Sequence, residues 1–297
     1  MKFAARGRLE TDAHFSMRDF IHKIAAHRRW SVAAAAVGLV VIAAIILYVV
    51  RIEHNISSQR ERQRAETRVE VAEHMLNAPP TDGMTLFLNS SDVRAIANFR
   101  GVRYLATSGG LVALDDGGNV RRRYTTFDGL PENDLTALAI FRDRLFIGTA
   151  GSALLAFDGN AFKAYRFTKP KATGISVLLP TDSDLLIGTV DSGLFEYDGE
   201  RFTRRVNSAP GGDFKAVTAL LSFESRLYIG TQDDGLYIWR EAHIEHITTR
   251  DGLPSPHVTA ITILPASLAD RGSIAVATDF AIVGLNDRNE IKPISNR

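Results

Sequence analysis

Cysteine is absent from the 297 residues. That absence excludes disulfide staples, iron–sulfur clusters, thiolate zinc sites and a cysteine nucleophile. It leaves the compartment open, because an exported chain need not carry cysteine. Also absent are H-E-x-x-H, the P-loop, G-x-S-x-G and the dinucleotide fingerprint, so the short motifs of common hydrolases, NTPases and oxidoreductases are missing. Charge of one sign is scarce: the formal net charge is +1. A uniformly spread charge of that size argues against a basic nucleic-acid surface.

The charge is not spread uniformly. Residues 1–30 hold 7 Lys/Arg against 3 Asp/Glu, residues 31–50 hold none, residues 51–80 hold 5 of each, and residues 81–297 hold 23 against 26. The chain therefore divides into a basic head, an uncharged block, a balanced linker and a mildly acidic body.

The uncharged block runs from Ser31 to Val50. As a helix its 20 residues span about 30 Å, the thickness of one hydrocarbon core. Arg28, Arg29 and Trp30 flank one end and Tyr48 and Arg51 the other, as residues that anchor at headgroups do. The block is longer than a signal-peptide core and is followed by no A-x-A site. It reads as an uncleaved signal anchor. Basic residues on the two sides tie, but the adjacent arginine pair and the basic head favour a cytoplasmic N-terminus. Ala34 and Gly38 form a small-xxx-small pair of the kind that supports helix pairing, but alanine runs are common in membrane helices and chance is the better reading, so a homo-oligomer stays open. Residues 51–83, rich in Arg, Glu and Gln, read as a helical stalk that Pro79 and Pro80 end.

From residue 84 onward, short apolar runs alternate with Gly and Asp turns, and they repeat. Leu145-Phe-Ile-Gly-Thr149, Leu185-Leu-Ile-Gly-Thr189 and Leu227-Tyr-Ile-Gly-Thr231 nearly coincide, with weaker copies ending at Thr107 and Thr278. The threonine spacings are 42, 40, 42 and 47. A Val-x-Ala-Ile-like run begins 14 residues before each of the first four, at Val93, Leu135, Ile175 and Val217, and 20 before the fifth, at Val258. Asp116-Gly117, Asp158-Gly159 and Asp198-Gly199 supply tight turns before a last strand. Four short strands in about 42 residues is the period of a propeller blade. The expected fold is all-β: a five-bladed β-propeller of four-stranded antiparallel blades over 84–297, preceded by a single transmembrane helix and the helical stalk. Met84 to Leu88 are candidates to close the ring.

Thr125-Thr-Phe-Asp-Gly-Leu-Pro-Glu-Asn-Asp-Leu-Thr-Ala-Leu138, with Phe146-Ile-Gly-Thr149 and Phe157-Asp-Gly159 after it, resembles the repeat of two-component regulator propellers. Thr248-Thr-Arg-Asp-Gly-Leu-Pro-Ser-Pro-His-Val-Thr-Ala-Ile261 is a second copy. The resemblance implies an extracytoplasmic, ligand-sensing propeller of a membrane regulator. The chain has fewer repeats than the paired propellers of large sensors and no kinase, receiver or DNA-binding region. The resemblance is therefore expected to bear on fold and side of the membrane more than on signalling.

In a four-strand meander, the blade-to-blade loops share one mouth with the loops after each Gly-Thr. Asp128, Glu132, Asp134, Asp191, Gln232, Asp233, Asp234, Asp251 and His257 fall there. They are the candidate ligand or partner residues, although Asp128 and Asp251 also suit plain turn-making. His243-Ile-Glu-His246 disfavours a metal, because strand alternation turns His246 away from His243. No catalytic residue, metal or cofactor is expected. The leading reading is a membrane-anchored periplasmic binding or scaffolding module in an envelope complex or sensory system. Its partners would be the bilayer through residues 31–50, a protein, and a small ligand or carbohydrate, with no nucleic acid. One alternative is a sensor ectodomain whose histidine kinase is a separate chain. The other is a propeller lyase or hydrolase using Asp251 and His257.

Overall fold

The computed structural model describes Tyr48, Arg51, residues 64–66 and 68–75, and residues 90–294 except 152, 170–172, 206–215, 242, 266 and 269–271. The chain divides into two units, Met1–Ser58 and Gln59–Arg297. In the first, Tyr48 and Arg51 are helical. Among the described residues no helix is long and apolar enough to cross a membrane. The basic tail and, apart from Tyr48, the span from Ser31 to Val50 lie outside them, as do Met84 to Leu88.

The second unit begins with β1 (Arg64–Glu66) and β2 (Arg68–Met75). Blade 1 comprises β3 (Val93–Phe99), β4 (Val102–Thr107), β5 (Gly110–Leu114) and β6 (Val120–Tyr124). Blade 2 comprises β7 (Leu135–Phe141), β8 (Arg144–Thr149), β9 (Ala153–Phe157) and β10 (Ala161–Lys169). Blade 3 comprises β11 (Ile175–Pro180), β12 (Leu185–Thr189), β13 (Leu194–Tyr197) and β14 (Phe202–Arg205). Blade 4 comprises β15 (Val217–Phe223), β16 (Arg226–Thr231), β17 (Leu236–Arg240) and β18 (His243–Ile247). Blade 5 comprises β19 (Val258–Ile263), β20 (Ile274–Thr278), β21 (Ile282–Leu285) and β22 (Ile291–Pro293). Every blade is an antiparallel meander in chain order, as the repeat predicts.

The helical stalk requires correction over the residues described. Residues 64–66 and 68–75 are strands: β1 pairs with β14 on the rim of blade 3, and β2 pairs with β10 on the rim of blade 2. The charged composition suits a solvated helix, but the open edges of β10 and β14 present unpaired backbone groups that an extended segment satisfies. Each of those blades thereby gains a fifth strand.

The repeated residues have specific duties. Thr107, Thr149, Thr189, Thr231 and Thr278 are buried, and each hydroxyl donates to the carbonyl at or just before the start of the third strand, at 2.8–2.9 Å. This closes the loop between the second and third strands. The glycine before three of these threonines is a packing requirement. A Cβ at Gly148, Gly188 or Gly230 would lie 3.0, 3.1 or 3.0 Å from the Cβ of Ile175, Val217 or Val258, the first residue of the following blade. Hydroxyls of Thr136, Ser176 and Thr218 then donate to the carbonyls of those same residues. Junctions 2–3, 3–4 and 4–5 are therefore each stitched by one hydrogen bond and one close backbone approach.

Four apolar clusters fill the junctions 1–2, 2–3, 3–4 and 4–5. The innermost strands pack in the series β3, β7, β11, β15, β19, and β3 and β19 do not pack on each other as the neighbours do. Among the described residues there is no fifth junction.

Candidate functional site

Backbone bonds Ala150 N–H to Asp134 O, Val190 N–H to Gly174 O and Gln232 N–H to Ala216 O tie each post-threonine loop to the loop that enters its own blade. The structure holds most of the mouth carboxylates in turns. Asp128 and Asp251 are the N3 residues of two capping boxes, each accepting from the backbone N–H and hydroxyl of Thr125 or Thr248. Those donors hold the Asp251 carboxyl below its ordinary range. Glu132 accepts from Gly151 N–H at 2.8 Å, and its other oxygen lies 2.6 Å from the Thr149 hydroxyl, whose one proton it shares with the Ala153 carbonyl. Asp134 meets Arg94 at 2.5 Å, and Asp191 accepts from Thr173. Asp234 accepts from the Tyr237 hydroxyl, and its carbonyl meets His246, whose ring stacks on Tyr237 at 4.1 Å. Gln232 and Asp233 are exposed, and His257 is half-buried.

A second concavity, not foreseen from the sequence, opens at the opposite end, where the hairpins between first and second strands of blades 3 and 4 meet. It encloses 440 Å³, within the range of small-molecule sites. Blade 3 contributes Thr181, Ser183, Asp184, Leu186, Glu196 and Arg205. Blade 4 contributes Ser222, Ser225, Arg226, Leu227, Trp239 and Glu241.

The cleft arises from a departure in the repeat. Eight residues before the conserved threonine stand Phe99, Phe141 and Phe223 in blades 1, 2 and 4, but Thr181 in blade 3. Three residues before it stand Tyr104, Phe146 and Tyr228, but Leu186 in blade 3. Opposite that second position the third strand places Ala113, Ala156 and Ile238, but Glu196 in blade 3. The fourth strand matches Tyr124, Tyr165 and Ile247 with Arg205. The aromatic pair that fills the other junctions is missing, and an ion pair stands in its wall.

Glu196 is 4% exposed, and its Oε2 accepts from Arg205 Nε at 2.5 Å. A carboxylate so desolvated requires a charged partner. Arg205 in turn lies 5.2 Å from the centre of the Trp239 ring, and the indole N–H donates to Glu241 O at 3.0 Å. Across the cleft, Arg226 donates to Asp287 O at 3.2 Å. Ser222 and Ser225 also line the cleft. On the opposite face of blade 3, in the junction with blade 2, burial pushes the Tyr197 phenol up to about 12. The signal for the cleft was present in the sequence, but only as a column-by-column difference between repeats. Among the described residues no group of His, Asp and Glu is arranged to hold a metal ion.

No protein-family model matches the chain, and no curated protein matches it. Solved structures do match. The extracellular domain of a hybrid two-component system protein of B. thetaiotaomicron aligns with a TM-score of 0.58 at 17% identity, over 70% of this chain and 29% of that one. The extracellular domain of a one-component system protein of the same organism aligns with a TM-score of 0.56 at 14% identity, over 79% and 35%. Virginiamycin B lyase of Staphylococcus aureus aligns with a TM-score of 0.54 at 13% identity, over 77% and 74%. The chain thus spans about three tenths of the length of the two-component ectodomain it matches. These likenesses show the propeller fold.

Proposed function

We propose that this chain is a membrane-anchored, extracytoplasmic propeller that works as a binding module, with its ligand site in the cleft between blades 3 and 4. One observation carries the reading: three positions that are apolar or aromatic in the other junctions become Thr181, Glu196 and Arg205 at this one, and a fourth, aromatic in the others, shrinks to Leu186. Packing does not require the exchange, since the equivalent Ala and Tyr positions of blade 2 fill the same space without charge. A cleft with an ion pair in its wall, an indole beside it and serines in its lining suits a neutral, hydroxyl-rich ligand. The uncharged span supplies the anchor. Sharing a fold with extracellular sensor domains supports the outer side of the membrane, and supports the reading in which the signal passes to a separate kinase. The rim formed by Gln232, Asp233 and His257 at the other end is the proposed contact for a protein partner.

The test is thermal unfolding of the full chain in amphipol, which carries no sugar headgroup, against maltohexaose, xylohexaose and cellohexaose. One of them should raise the midpoint of the wild type and leave Leu186→Phe unmoved, because that variant restores the aromatic of the other blades and fills the cleft. An equal rise in both would place the site elsewhere. No response to any of the three would remove the hydroxyl-rich class.

A further inference from the structure

The two ends of the blade series carry the two halves of a junction that the molecule makes four times internally. The first residue of each innermost strand faces the preceding blade: Leu135, Ile175, Val217 and Val258 are all 0% exposed, whereas Val93 of blade 1 is 43% exposed. Three residues on, Leu178 and Leu220 are 8% exposed, whereas Ile96 is 63% exposed. The following face shows the same contrast. Leu111, Leu154, Leu194 and Leu236, the first or second residues of the third strands of blades 1–4, are 0% exposed, whereas Ile282 of blade 5 is 55% exposed.

The stitching bond is also left over. Thr136, Ser176 and Thr218 donate to the next blade, but the hydroxyl of Thr259, their counterpart in blade 5, is exposed and has no hydrogen-bond partner among the described residues. The small residue that admits the next blade is present as well. Ala277 occupies the position of Gly148, Gly188 and Gly230, as Ala106 does ahead of blade 2.

We infer that a second copy of this chain covers these faces, seated so that blade 5 of one copy packs on blade 1 of the other. The occupant follows from complementarity. The following face of a blade is shaped for the leading face of another blade of this sequence, and the leading face of blade 1 is such a surface. Val93 of the second copy would fill the place before Ala277, and its carbonyl would receive the Thr259 hydroxyl. A contact of this kind joins two different surfaces, so a pair closes only when both ends engage, and otherwise copies add in series.

The cysteine-free sequence makes the test direct. Internal junctions would place a Cβ at the glycine position about 3 Å from the facing Cβ, so a shift of about 0.5–1 Å brings the pair to the span of a disulfide. The full chain is prepared as Val93→Cys at an exposed position, as Ala277→Cys at a half-buried one and as the double variant, and oxidised in native membranes. Co-expressed single variants should give a covalent dimer of one Val93→Cys and one Ala277→Cys chain. Each single variant alone should give none. The double variant should give dimers or a ladder. A double variant that stays monomeric, whether uncrosslinked or linked within one chain, would overturn the inference. As an independent arm without disulfides, Ile282→Arg should convert a wild-type species larger than a monomer, measured by light scattering in amphipol, into a monomer. A wild type that is already monomeric would overturn it.

Discussion

Gly188 is set by distance to its neighbours. A Cβ there would lie 2.5 Å from Val177 Cγ1 and 2.8 Å from Val217 Cγ1, inside the contact of blades 3 and 4. Overpacking a fitted core costs about 1–3 kcal/mol. Gly188→Ala should therefore lower the urea midpoint by that equivalent with an unchanged slope. Arg205 acts through charge. Removing it leaves Glu196 desolvated without its guanidinium, and breaking a buried pair from one side costs about 3–5 kcal/mol. Arg205 is itself 29% exposed by side chain, so Arg205→Ala should cost about 2–3 kcal/mol after that discount. The double variant Glu196→Ala/Arg205→Tyr reproduces the residues of blade 2 and should recover most of the loss. Urea denaturation of the three variants checks both expectations.

The turns are the elements most sensitive to acid. Backbone N–H groups of Asn160 and Ala161 hold the Asp158 carboxyl below its ordinary range, and those of Glu200 and Arg201 do the same for Asp198. Asp251 is held down by Thr248, and Asp115 by Asn119. A carboxyl depressed in the folded state contributes stability that is present above its unfolded pKa and is lost as pH falls through the folded value. Stability should thus stay level from pH 7 to about 5 and fall below about 4. Urea midpoints at pH 7, 5 and 3 measure it, and Asp198→Asn should flatten the acid limb. Thr248→Ala removes one capping box and should cost about 1 kcal/mol at pH 7. These elements were legible in the sequence because each is local: Asp-Gly turns, threonine caps and the blade period all lie within a few residues of their partners. The strand β2 was not legible, because its partner β10 lies far along the chain and its Arg and Glu content equally suits a helix. The cleft was hidden for a related reason. No single residue there is unusual for a propeller, and Glu196 gains meaning only beside Ala113, Ala156 and Ile238 in the other blades.

At the scale of the whole molecule, the small net charge conceals a division of labour. On the proposed reading, the basic head, the uncharged span and the acidic blades set the body on the outer side of a membrane, with the cleft facing its ligand there. The lack of cysteine means the blades hold by packing and strand pairing alone. It also means that one introduced thiol reports its own location. Ser183→Cys places that thiol at the exposed lip of the cleft, and intact cells expressing the full-length variant are treated with a membrane-impermeant maleimide. The expected result is labelling of intact cells equal to that of lysed cells. Labelling that appears only after lysis would place the blades and their cleft inside the cytoplasm and contradict the proposed function.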